Sequence, residues 1–221
     1  MERDPGGVAP ESATFANELA TLKREGSNIL VVGADTADAH DAVCHRLLGD
    51  TDPGPRYRLF VTNSDTRSTS HGSGGTVESA WTIDCSELNP SADDPTVPAA
   101  SNLGTLGIEI VETIDELDDT ADGLAPSELR VCVDSLVPLL QEYAAEHVFR
   151  LLHLATSRVD HVDGMGHYHL PLDRDHDAVN LLEPLFDAIV EVRARDDRYE
   201  QRWYLRDQET STDWISLDRR H

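Results

Sequence analysis

The sequence predicts an α/β fold with a mainly parallel central sheet and antiparallel strands at its C-terminal edge. Short apolar runs alternate with segments whose apolar residues recur at helical spacing, which is typical of parallel strands joined by helices. Two runs near the C-terminus, YEQRWYL and DWISL, have the pattern of antiparallel strands joined by a turn. At 221 residues the chain is long enough for one domain with a well-buried core.

The first half of the chain contains the first strands of the predicted sheet. Residues 1–11 are rich in proline and glycine and are expected to form a flexible tail, with residues 12–221 as a single domain. A helix is predicted over residues 13–24, with Ser12 as its N-cap and Gly26 as its end. Further elements are a strand at 29–32, helical spacing at 42–48, and strands at 58–62 and 80–84.

The second half continues the alternation of helices and strands. A helix is predicted from Leu103 or Thr105 to Leu117 and another at residues 143–158, with a shorter helical piece at 179–185. Strands are predicted at 129–134, 165–170 and 188–192. Two runs within residues 199–217 are expected to be terminal antiparallel strands around a turn at Asp207.

The charge of the chain limits its partners. Acidic residues outnumber basic ones by 42 to 18, which gives a formal net charge of -24, and Lys23 is the only lysine. Such an excess repels nucleic acid and anionic membranes, so neither is expected as a partner. A dense coat of carboxylates with almost no lysine favours adaptation of the surface to high salt.

The cysteines and the N-terminus indicate a cytoplasmic protein. Three cysteines stand at Cys44, Cys85 and Cys132 without a C-x-x-C pair, which suits small buried hydrophobes in a reducing compartment. The first residues contain no apolar signal region, and no apolar stretch has the length of a membrane span.

The turn after the first predicted strand has the position of a phosphate-binding loop but lacks its residues. A P-loop reads G-x-x-x-x-G-K-[ST], in which the lysine reaches the β- and γ-phosphates and the hydroxyl holds Mg²⁺. Counting from Gly33, the second glycine is replaced by Asp38, the lysine by Ala39 and the hydroxyl residue by His40. The carboxylates that would face a phosphate are those of Asp35, Asp38 and Asp41.

A second feature of nucleotide sites is found at the end of the strand at 129–134. Asp134 stands at the carboxyl end of this apolar strand, where α/β folds bind ligands and where ATPases place a residue that helps to hold Mg²⁺. The alternative is an aspartate that caps the next helix or closes a turn.

Residues 28–192 together resemble a degenerate RecA/KaiC-like P-loop ATPase-fold family of uncharacterised haloarchaeal proteins. The resemblance is carried, in the order of the family, by NILVVGADTADAHDAV, LFVTNSDT, LRVCVDSLVPLLQEYAAEHVFRLLHLATSRV, GMGHYHL and LFDAIVEV. It implies a three-layer RecA-like domain in which Gly33 and Asp134 are remnants of the nucleotide site. In KaiC-type ATPases, a pair of glutamates after the second strand helps to activate water. The matching positions here are Ser64 and Asp65.

The segment HYHLPLDRDH raises the question of a metal site. His167 and His169 alternate along a predicted strand and therefore share one face, and histidine suits Zn²⁺ and similar ions. Histidines at a strand end also commonly bond to backbone or aspartate partners, and Asp134 is expected to lie near them. We therefore predict no metal site. If the protein does bind a metal, His167 and His169 are the candidate ligands.

The arginines of the C-terminal segment are interleaved with aromatic and acidic residues. This mixture can bind nucleic acid, but the acidic residues favour ion pairs across an edge of the sheet, and next a protein-binding edge. The arginines are Arg193, Arg195, Arg198, Arg202 and Arg206.

The sequence favours a catalytically inactive RecA-like domain with a regulatory or scaffolding role. It is expected to have no catalytic residues and no cofactor, and to act with a protein partner or as a homo-oligomer. The first alternative is a nucleotide-binding ATPase or sensor with a non-standard loop, in which Asp134 and Asp65 surround Mg²⁺. The second is a metal-binding protein built on His167, His169 and Asp134.

Overall fold

The computed structural model describes residues 10–34, 36–49, 55–63, 80–85, 99–196, 198–206 and 210–217. Ser64 and Asp65, which match the glutamate pair of KaiC-type ATPases, lie outside these ranges, as do Asp35 and the predicted turn position Asp207. Among the described residues, none of the helices has the length and apolarity needed to cross a membrane.

The described residues form a sheet of nine strands. The strands are β1 (Ser27–Val32), β2 (Tyr57–Thr62), β3 (Ala80–Asp84), β4 (Leu129–Val133), β5 (Met165–Leu170), β6 (Ala188–Arg195), β7 (Arg198–Leu205), β8 (Thr210–Ser211) and β9 (Ile215–Ser216). The helices are α1 (Pro10–Glu25), α2 (Ala37–Leu47), α3 (Ala99–Thr120), α4 (Val137–Glu142), α5 (Ala145–His161) and α6 (Asp177–Leu182), and a 3-10 turn follows at Glu183–Leu185.

The sheet has the predicted mixture of parallel and antiparallel pairing. Its strand order is β3-β2-β4-β5-β1-β6-β7-β8, and β9 pairs with β7. All pairs from β3 to β6 are parallel. Strand β7 runs antiparallel to β6, and β8 and β9 run antiparallel to β7. The predicted α/β fold with antiparallel C-terminal edge strands is therefore confirmed.

Helices cover both faces of this sheet. Leu30 points to the face that packs on α3 and α5, where it joins a core with Leu106 and Leu152. The next residue, Val31, points to the opposite face, where it packs with Val43 of α2. Because side chains alternate along a strand, the central strands contribute to both cores and are buried along their whole length. This gives the three layers that the sequence predicted.

The main differences from the sequence prediction lie at helix boundaries. Helix α1 begins at Pro10, three residues before the predicted start, because proline fits the first turn of a helix. Residues 137–142 form the separate helix α4, which was not predicted and has a proline in its first turn. The extended backbone of Tyr143 and Ala144 separates α4 from α5.

The predicted ion pairs across the C-terminal edge are confirmed. Arg193 stands opposite Glu200, with their side chains 2.6 Å apart, and Arg202 stands opposite Glu191 at 2.7 Å. Both guanidinium groups also lie over the ring of Trp214. These two arginines are therefore engaged within the sheet.

A buried asparagine joins β1 to β5 and to helix α5, on the face of the sheet that packs on α3 and α5. The side chain of Asn28 donates hydrogen bonds to Asp160 at 2.6 Å and to the carbonyl of Thr156 at 3.2 Å, and it accepts one from Tyr168 at 3.0 Å. Burial and, after it, the nearby charge of Asp187 raise the pKa of Asp160 to about 6, although the hydrogen bond from Asn28 lowers it.

Asp160→Asn should stabilise the protein near neutral pH. A carboxyl whose pKa is raised by folding binds its proton more tightly in the folded state. Its contribution to stability is therefore present at low pH and is lost as the pH rises through about 4 to about 6. Asparagine keeps the acceptor for Asn28 without the charge. We expect the free energy of unfolding to rise by about 1 kcal/mol near pH 7, a value reduced by solvent screening.

Urea unfolding near pH 7 and at about pH 4 measures this effect. At the lower pH the stabilising effect should disappear. Glu112→Gln is the control because it removes the same charge from an exposed position in the middle of α3. Equal effects of the two substitutions would show that net charge, and not the carboxyl that bonds to Asn28, is responsible.

Candidate functional site

The chain passes from β1 to α2 through a short turn at the carboxyl edge of the sheet, as predicted. Gly33 begins this turn with a φ of 139°, and α2 begins at Ala37. A Cβ atom at Gly33 would overlap with the carbonyl oxygen of Val192 on β6. Contact with a neighbouring strand is thus sufficient to require glycine here, whether or not a phosphate binds.

Of the P-loop positions that the structure describes, Thr36, Asp38 and Ala39 make contacts within the protein. Asp38 is exposed and accepts a hydrogen bond of 2.7 Å from the hydroxyl of Tyr199. Ala39 is buried in the core between α2 and the sheet. Thr36 donates a hydrogen bond of 3.2 Å to the carbonyl oxygen of Gly33. The chain's single lysine, Lys23, lies on α1.

His40 connects the turn to β5. Its Nε2 lies 2.9 Å from the carbonyl oxygen of Gly33, and its Nδ1 lies 2.9 Å from Nδ1 of His169. A carbonyl oxygen can only accept, so Nε2 of His40 carries the proton. In a neutral ring Nδ1 of His40 is then an acceptor, and His169 donates to it from Nδ1. This leaves Nε2 of His169 with a free lone pair.

His169 belongs to a buried cluster with His167, Cys44 and Cys132. The cluster is brought together by α2, which supplies Cys44, by β4, which supplies Cys132, and by β5. Cys132 stands opposite His167 in the sheet register, and the two histidines share a face because they alternate along β5. The structure thus brings both predicted histidines together with two cysteines from distant parts of the chain.

The ligand atoms of this cluster are close to one another. The Sγ atom of Cys44 lies 3.5 Å from Sγ of Cys132 and 3.2 Å from Nε2 of His167. One sulfur or ring nitrogen from each of the four residues lies within 4.8 Å of all the others. The side chains are buried, and Leu48 and Phe60 pack against the two cysteines.

The cysteines differ in their electrostatic surroundings. The hydrogen bond with Cys132 holds the pKa of the Cys44 thiol well below its ordinary value, and His167 lowers it further, although burial opposes both. Burial lowers the pKa of His167, which favours its neutral form. Burial raises the pKa of Cys85, which lies outside the cluster, to about 12.

Asp134 lies beside the cluster. It follows β4, and its backbone N–H donates to the carbonyl of Val61 at 2.9 Å. The partly exposed side chain lines a cleft of about 360 Å³ at the carboxyl edge of the sheet. Thr36, Ala37, His40, Ser135, His169 and Pro171 complete the lining. As predicted, Asp134 and His169 are neighbours, but Asp134 is not one of the four clustered residues.

Sequence reasoning missed the roles of Cys44, Cys132 and His40. The prediction that the cysteines are buried is confirmed, but two of them contact each other across 88 positions of the chain. The sequence did contain a signal for this cluster, since Cys132 lies in one predicted central strand and two alternating histidines lie in another strand. The strand register and the position of α2 were needed to join them.

Comparisons with known proteins agree with this architecture. The family model of DUF7504, described as a family of unknown function, matches residues 26–192. The chain belongs to DUF7504. A KaiC-like protein from the hyperthermophilic archaeon Pyrococcus horikoshii OT3 has a similar structure, with a TM-score of 0.50 at 9% sequence identity, over 82% of this chain and 79% of that chain. The search of curated proteins gave no match.

The structural similarity supports the predicted RecA/KaiC-like fold for this DUF7504 protein. At 9% identity it shows the fold alone. The turn after β1, Asp134 and the four clustered residues all lie within the part of the chain that the family covers.

The close contact at Gly33 can be tested by substitution. Gly33→Ala places a Cβ against the backbone of β6 at a positive φ, so we expect a loss of about 3 kcal/mol or more in the free energy of unfolding. Gly104→Ala is the control, because this exposed glycine of α3 has open space around it. There alanine should stabilise by up to about 1 kcal/mol. Equal effects in urea unfolding would contradict the proposed contact.

Proposed function

We propose that this DUF7504 protein is a non-catalytic RecA/KaiC-like domain that acts as a regulatory or scaffolding protein through protein–protein contacts. The observation that carries the proposal is the position of His40. Its ring bonds to the carbonyl oxygen of Gly33 and to His169, at the point where a P-loop would offer a hydroxyl to Mg²⁺.

The charges near the turn also support a non-catalytic role. A working site surrounds the phosphates with a lysine and backbone N–H groups, and each charged contact there contributes several kcal/mol. Here the lysine position is the buried Ala39, and the nearby carboxylates of Asp38 and Asp134 are unfavourable for a triphosphate. We further propose that the protein acts in a cytoplasm of high salt, because its formal net charge is -24.

An apolar groove supports the proposed protein contacts. It has a volume of about 460 Å³ and lies between α4 and α6 near the carboxyl edge of the sheet. Val137, Leu140, Leu172 and Leu181 supply its larger apolar side chains. Leu181 is 44% exposed, and exposed apolar side chains that line a groove are typical of interaction surfaces.

A second candidate function is nucleotide binding by a non-standard loop. The cleft beside Asp134 favours it, because ligands of α/β folds bind at the carboxyl ends of the strands. Binding and its absence lead to different melting temperatures.

We expect ATP–Mg²⁺ and GTP–Mg²⁺ to leave the melting temperature unchanged. Thermal unfolding in molar KCl with and without each nucleotide is the measurement. A ligand present at 100 times its Kd would add about 2.7 kcal/mol of stability, which corresponds to roughly 5–10 °C for a chain of this size. A clear shift that Asp134→Ala abolishes would overturn the non-catalytic proposal in favour of the second candidate.

The homo-oligomer form of the proposal predicts a mass above the 24.4 kDa of one chain in light scattering. Leu181→Gln should lower that mass by placing a polar group in the groove. Ile108→Gln is the matched control, because Ile108 is 56% exposed but lies on α3, outside the groove. A mass of one chain for the unaltered protein would contradict self-association.

A further inference from the structure

The buried cluster under α2 contains the four donors of a common metal centre. Two cysteine sulfurs and two imidazole nitrogens face one another in a space from which solvent is excluded. We propose that Cys44, Cys132, His167 and His169 bind one Zn²⁺ ion in a tetrahedral site. The inference is independent of the proposed function, because such an ion would hold the fold with or without a nucleotide.

The distances fit a tetrahedral zinc ion. Zn–S bonds of about 2.3 Å and Zn–N bonds of about 2.0 Å place two sulfurs about 3.8 Å apart and a sulfur and a nitrogen about 3.5 Å apart. The corresponding separations are 3.5 Å between Cys44 and Cys132 and 3.2 Å between Cys44 and His167. For these two pairs, shifts of a few tenths of an ångström would give the tetrahedral separations, and the other ligand atoms lie within 4.8 Å of one another.

His169 provides a second, independent observation. Its Nε2 is buried and has no hydrogen-bond partner among the described residues. The hydrogen bonds from His169 to His40 and from His40 to Gly33 assign the proton of His169 to Nδ1. The lone pair on Nε2 is therefore available to a metal. In metal-binding histidines, the ring nitrogen that does not bind the metal typically donates a hydrogen bond to a partner that orients the ring. His40 is that partner here.

The chemistry of the donors selects the class of ion. Thiolate and imidazole ligands suit Zn²⁺ and similar transition metals, whereas Mg²⁺ and Ca²⁺ prefer oxygen. With four protein ligands, the site has the closed coordination of a structural zinc centre. A bound ion would join α2 to β4 and β5. It would therefore stabilise the position of α2, the helix that follows the turn at Gly33.

Two other states of the same residues must be distinguished from a metal site. The first is a metal-free cluster held by hydrogen bonds between thiols and imidazoles. The second is a disulfide between Cys44 and Cys132, since their sulfurs are already 3.5 Å apart. All three states bury the same side chains, but they differ in metal content and in the number of free thiols.

The primary test uses the unaltered protein, freed of metal by a chelator in the presence of a reductant. We expect it to take up one equivalent of Zn²⁺ per chain and to melt at a higher temperature once loaded. Co²⁺ should give the intense visible absorption of a tetrahedral site with thiolate ligands. In a separate sample that is purified without reductant and then unfolded in a chelator, three thiols should react, as expected for Cys44, Cys85 and Cys132.

Variants then assign the ligands. Cys44→Ser and Cys132→Ser should each weaken Zn²⁺ binding by more than about 100-fold, and His40→Ala by about 10- to 100-fold, the range for loss of a partner that orients a ligand. Cys85→Ser is the matched control, because this third buried cysteine lies outside the cluster and should leave binding unchanged. Because the primary test needs no variant, the proposal stays testable if a ligand variant does not fold.

Three results would overturn the proposal. Failure of the reduced protein to bind Zn²⁺ stoichiometrically would indicate the hydrogen-bonded cluster. Loss of two thiols in protein purified without reductant, together with absence of metal, would indicate the disulfide. Equal weakening of Zn²⁺ binding by Cys85→Ser and Cys44→Ser would show that the metal binds elsewhere.

Discussion

The packing of α2 on β5 is the contact on which the carboxyl edge of the sheet depends. Strand β5 is buried along its whole length, yet its face toward α2 carries His167 and His169. A buried polar group without a partner costs free energy, so this face can be covered only by a helix that supplies partners. Helix α2 does so with His40 and Cys44, which are four residues apart and lie on one side of the helix.

This packing also explains why the turn before α2 differs from a phosphate-binding loop. In a P-loop the first turn of the helix is directed toward a ligand. Here the carbonyl oxygen of Gly33 accepts hydrogen bonds from His40 and Thr36, and Ala39 is buried. The start of the helix is held from within the protein, by a chain of hydrogen bonds that continues to β5.

Much of the fold could be predicted because it depends on local patterns. The bounds of β3 and β5 agree with the prediction. The ion pairs between β6 and β7 were predictable because a short connection sets the register of an antiparallel pair. Helix α4 was missed because six residues beginning with Val-Pro carry too little periodicity to be recognised.

The sequence by itself determined the α/β layers, the antiparallel edge and the absence of the P-loop residues after β1, because each depends on neighbours in the chain or on residue type at fixed spacing. Only the tertiary structure decided the site. Cys44, Cys132 and His167 come from a helix and two strands that are distant in sequence, and they meet through strand order and helix placement. Those depend on how whole elements pack, which no local pattern encodes.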